Sequence, residues 1–174
     1  MNDISALFDY WLSDYAVLNF TFGVVIPALL SLFFLFKFSR DIFQYWRAIL
    51  VGNIINLIYT AYQVFYTWEH GLHLIAVFVL YMLHSYHKQK KMTISIPVAY
   101  CSMWLSMIVP DLAGGLMYSL WSPLNTGKYN PIETLSWLGG AGPFDGLFCF
   151  PLLAAATSLI FQKVHKFESL RRAA

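Results

Sequence analysis

Residues 15–36 read YAVLNFTFGVVIPALLSLFFLF, a run without one charged side chain. A bilayer core about 30 Å thick holds no water to satisfy peptide groups, so a chain crosses it as a helix of about 20 apolar residues. This run meets that requirement, and four more follow, at about 48–66, 71–86, 93–109 and 144–161. The fourth span could itself continue to residue 121. None shows the strict alternation of a membrane β-strand. The reading is an all-α integral membrane protein, one membrane-embedded domain over residues 1–174, built as a bundle of about five transmembrane helices.

Composition agrees. The 174 residues are 59% hydrophobic and only 11% charged, against roughly 25% charged in a soluble domain. That shortfall excludes a soluble enzyme, a disordered chain and a basic nucleic-acid binder. A net charge of +2 is too small to call for an anionic partner, and two cysteines make no disulfide framework.

Basic residues orient the bundle. Lys37, Arg40 and Arg47 follow the first span, Lys88, Lys90 and Lys91 the third, and Lys163, Lys166, Arg171 and Arg172 the fifth. Those are alternate connections, so ten of the eleven lysines and arginines share one face, with Lys128 alone opposite. The positive-inside rule makes that face cytoplasmic, with the N-terminus outside and the C-terminus inside an inner or plasma membrane. The segment before the first span is acidic rather than basic, so it does not read as a cleavable signal peptide. Trp11, Tyr15, Tyr45, Trp46, Tyr66, Trp68, Trp121 and Trp137 fall near span ends, as an interfacial aromatic belt requires.

The outer connection at 112–143 contains two loop signals, NTGKYNP at 125–131 and GGAGP at 139–143. Before them, 112–121 is apolar enough for a half-helix or an interfacial helix, set apart from the fourth span by Pro110.

Polar residues within the spans carry the functional signal. Asn53, Asn56, Thr60, Gln63 and Thr67 recur every three or four residues, which puts them on one helical stripe. Such a stripe faces other helices or a hydrated path, because amides in hydrocarbon need partners. His70, His73, His84 and His87 share one arc of the third span, two near each boundary. His70 and His73 are the candidate ligands for a divalent metal. A haem at these histidines would need a second histidine-bearing helix, which this chain does not supply. Asp111 follows Pro110 and Asp145 follows Pro143, both on the outer side, where Glu69 and Glu133 also lie. An acid after a helix-opening proline is good capping chemistry, and an ionisable group at membrane depth is a functional candidate. Gly140-Ala141-Gly142 lacks the preceding strand of a dinucleotide site, and no His-Glu-x-x-His motif is present.

These residues favour a small polytopic protein with an outward-facing polar pocket that binds a cation or small ligand, as a transporter, channel or carrier subunit. Asn53, Asn56, Gln63, Asp111 and Asp145 would line the pocket, with His70 and His73 at a metal. One alternative is a membrane-embedded enzyme acting on a lipid or isoprenoid, with Asp111, Asp145 and Glu133 as candidate acid and base. Another is a structural, assembly or immunity-type subunit. The partners expected are membrane lipids and either further copies of the chain or other membrane subunits, with no nucleic acid.

Overall fold

In a computed structural model, residues 20–67, 94–121 and 145–173 are described. They are almost entirely helical, without a strand among them. Helix α1 opens as a π-helical turn, Thr21–Val25, and runs on as Ile26–Phe43. Pro27 lies at the start of the regular part, where a missing amide proton is tolerated. Phe38 departs from helical geometry (φ −125°, ψ 24°) and kinks the helix near its end. A tight turn at Gln44 and Tyr45 leads into α2, Trp46–Tyr62, which ends in a second π-helical turn, Gln63–Thr67. Helix α3 spans Ile96–Trp121, and α4 spans Gly146–Ala173.

Four stretches among the described residues are long and apolar enough to cross a membrane: Thr21–Phe43, Trp46–Tyr66, Ile96–Tyr118 and Gly146–Arg172. Central among them is α3, against which α1, α2 and α4 all pack. Its apolar window is 56% buried, against 17% to 33% for the other three. Small side chains permit this close approach: Ala48 of α2, Ala99 of α3 and Ala154 of α4 join Met103, Met107 and Leu147 in one buried cluster. A second cluster, Ile42, Val98 and Cys101, fastens the end of α1 to the start of α3. Large apolar side chains point outward instead, among them Leu29, Phe33, Phe36, Ile58, Leu153 and Ile160. An apolar exterior around a core that includes buried Ser31, Asn56, Ser106 and Asp111 suits a bundle whose solvent is lipid.

Three boundaries depart from expectation. Residues 112–121 form neither a half-helix nor an interfacial helix; they continue α3 through Pro110, and the bonding that permits this is described below. Helix α1 runs on past residue 36 to Phe43, carrying Lys37 and Arg40. Helix α4 runs past residue 161 through the basic tail to Ala173, a segment of strong helix formers with no breaker. The expected span at 71–86 lies outside the described residues, as do His70, His73 and Glu133.

Candidate functional site

Proline 110 organises the polar interior. It has no amide proton to donate to the carbonyl four residues back, so the Ser106 carbonyl loses its helical partner. Asn56 replaces the missing donor from the neighbouring helix: its Nδ2 donates to the Ser106 carbonyl at 3.2 Å. One turn earlier, Asn53 donates from Nδ2 to the Leu105 carbonyl at 3.0 Å and to its own helix at the Ile49 carbonyl, 2.9 Å. Two asparagines of α2 thus brace the proline site of α3, and the helix continues. The Ser106 hydroxyl turns back to the Met103 carbonyl at 2.7 Å.

Farther along the stripe, Thr60 is fully buried and Gln63 is 5% exposed. Gln63 opens the π-helical turn, which also packs on α3. Such turns change which way successive side chains face and recur at functional sites. The polar stripe therefore meets α3, and Thr67 is placed only as the last residue of that turn.

Both aspartates are buried, Asp111 at 3% exposure and Asp145 at 9%. Asp145 caps α4: its Oδ1 accepts the Leu147 amide at 2.9 Å, and its carbonyl takes the Cys149 amide at 2.8 Å. Capping holds the carboxylate at the positive end of a helix dipole. A Cβ added at Gly146 would come within 3.1 Å of Met107 Cε, so α4 begins against Met107 of α3. Asp111 is one turn beyond Met107 on the same helix face, a rise of about 6 Å. Both carboxylates therefore lie toward the same end of the α3–α4 interface.

At the other end of that interface, Ser158 and Gln162 of α4 both donate to the Ile94 carbonyl, Gln162 at 2.9 Å. The two contacts make α3 and α4 antiparallel. From Gly146 to the first basic residue, Lys163, α4 rises about 25 Å, so the carboxylates lie at the end of the bundle away from the basic tail.

Among the described residues no group of three or more His, Cys, Asp or Glu side chains could hold a metal ion. Cys101 and Cys149 are not joined in a disulfide, and Cys101 donates to the Ser31 carbonyl at 3.4 Å. Of the expected site residues, Asn53, Asn56 and Gln63 share the α2–α3 seam, while Asp111 and Asp145 lie toward the same end of the α3–α4 interface. Ser106, Ser158 and Gln162 were not singled out from sequence. Ser106 could have been, since a proline inside a helix names the carbonyl four residues earlier as needing a donor. No protein-family model, characterised protein or solved structure matches this chain.

Proposed function

We propose that this chain is a membrane protein of about five spans whose polar pocket opens outward and binds a cation or small polar ligand, serving as a small transporter, channel or carrier subunit. The orientation proposed follows the basic residues, with the N-terminus outside and the C-terminus cytoplasmic. The observation that carries the reading is the burial of two carboxylates, Asp111 and Asp145, toward the end of the bundle away from the basic tail. An ionisable residue buried within a membrane bundle marks a candidate ion path. In this reading the two aspartates attract the cation, and Asn53, Asn56 and Gln63 continue the route inward.

The test uses the full chain in sealed vesicles, with uptake of radiolabelled sodium and rubidium and of protons, the last followed by a pH-sensitive dye. Asp111→Asn and Asp145→Asn are expected to abolish uptake while leaving abundance and monodispersity near wild type. Full uptake in both variants would sink the proposal. A structural or assembly role is the second reading. It is favoured by the use of the Asp145 carboxylate as a helix cap and of both asparagine amides on α3 backbone carbonyls.

A further inference from the structure

We propose that the side-chain oxygens of Asn56 and Thr60, one helical turn apart, contribute to a site for a partly dehydrated monovalent alkali cation in the α2–α3 seam, with Asn53 Oδ1 as the next oxygen along the same path. The inference rests on the cation-path reading above and names the class of ion and the residues that strip its water.

Asn53 Oδ1, Asn56 Oδ1 and Thr60 Oγ1 are buried, and none has a hydrogen-bond partner among the described residues. They are three successive members of one stripe, spaced so that each side chain neighbours the next. Asn56 is 4% exposed and Thr60 is fully buried. An isolated oxygen of this kind would be costly in a membrane interior, and Asn56 and Thr60, one turn apart, are close enough to share a partner.

The two amides are held in place. Asn53 spends Nδ2 on the Leu105 and Ile49 carbonyls, and Asn56 donates to the Ser106 carbonyl freed by Pro110. The positive end of each amide dipole is thus fixed on backbone, and the negative end is presented elsewhere. Oriented negative dipole ends in a region of low dielectric attract a cation or a hydrogen-bond donor and repel an anion.

Neutral amide and hydroxyl oxygens suit an alkali ion, whose weakly held hydration shell such groups replace. Hard divalent ions draw on several carboxylates, and no described group of three His, Cys, Asp or Glu residues could hold one.

Thermal unfolding of the full chain in detergent tests the proposal, in lithium, sodium or potassium chloride against choline chloride at equal ionic strength. One alkali ion is expected to raise the midpoint saturably, as a ligand of the folded state does. Thr60→Val keeps the shape and removes only the hydroxyl, and Thr60 makes no bond that folding would miss. It should raise the half-saturating concentration about tenfold or more, the loss of one interaction with a charged group. No alkali dependence in the wild type overturns the inference. So does an unchanged half-saturation in Thr60→Val, particularly with a higher midpoint in choline, which marks a merely unsatisfied hydroxyl. Asp111→Asn and Asp145→Asn, measured alongside for binding and uptake, separate the two proposals. If both keep full uptake while Thr60→Val loses ion binding, the seam site stands and the outer-carboxylate reading falls. If they lose uptake while Thr60→Val binds as wild type does, the seam site falls alone.

Discussion

Tyr45 shows how one side chain at the end of a span becomes a pH probe. It lies in the turn between α1 and α2, packed against the Ile42, Val98 and Cys101 cluster. Burial, and secondarily the Asp41 carboxylate one turn earlier, raise its phenol above the ordinary value. An acid whose folded pKa is raised adds stability below its unfolded pKa, about 10 for tyrosine, and loses it as pH climbs toward the raised value. Unfolding in micelles should therefore be independent of this group up to about pH 10 and weaken above it. Tyr45→Phe should remove that part of the decline, and an identical alkaline profile in the variant would refute the assignment. The residue scale is also where sequence reading was most uneven. Asp145 after Pro143 was legible as a helix-opening acid, and it does cap α4. The depth of Asp111 was legible from the apolar run before it, but its level relative to Asp145 was not, because that depends on where Gly146 meets Met107.

At the scale of elements, the informative case is a helix that continues where a break was expected. Pro110 removes one helical hydrogen bond, and a free end or interfacial segment would have let water replace it. Asn56 supplies the donor instead, so the intact helix keeps its buried carbonyl satisfied. Asn56→Leu should destabilise by about 1–3 kcal/mol, the cost of leaving a buried acceptor unpaired. Pro110→Ala restores an amide proton at position 110, so the same Asn56→Leu change should cost less in that background. Coupling of about 1 kcal/mol in a double-mutant cycle, followed by unfolding in mixed micelles, is the expected outcome. Strict additivity would show that the bond does not brace the proline. The stripe of Asn53, Asn56, Thr60 and Gln63 was readable from its spacing alone. Which carbonyls it serves was not, because those belong to a helix some fifty residues away in sequence.

For the molecule as a whole, α3 occupies the centre, with α1, α2 and α4 around it. Many large apolar side chains of those outer helices face outward, while Ala48, Ala154, Ile42 and Leu147 pack against α3. The sidedness proposed from charge has its own test. Lys90→Cys should resist an impermeant thiol reagent in intact cells and react after permeabilisation, whereas Asn125→Cys should react in both states. Labelling of Lys90→Cys in intact cells would invert the topology proposed from the positive-inside rule.

Local patterns were enough to show that the chain is helical and apolar enough for lipid, roughly where four of its spans lie, and which polar residues are out of place in hydrocarbon; three of those spans run on past their expected ends, to Phe43, Trp121 and Ala173. Those properties are local: span length, charge scarcity and helical spacing are set by residues close together in the chain. Tertiary packing alone makes α3 central, carries α3 through its proline, and brings two distant aspartates to the same end of one interface. Each of these depends on a partner supplied by another helix, and no local pattern names the helix that supplies it.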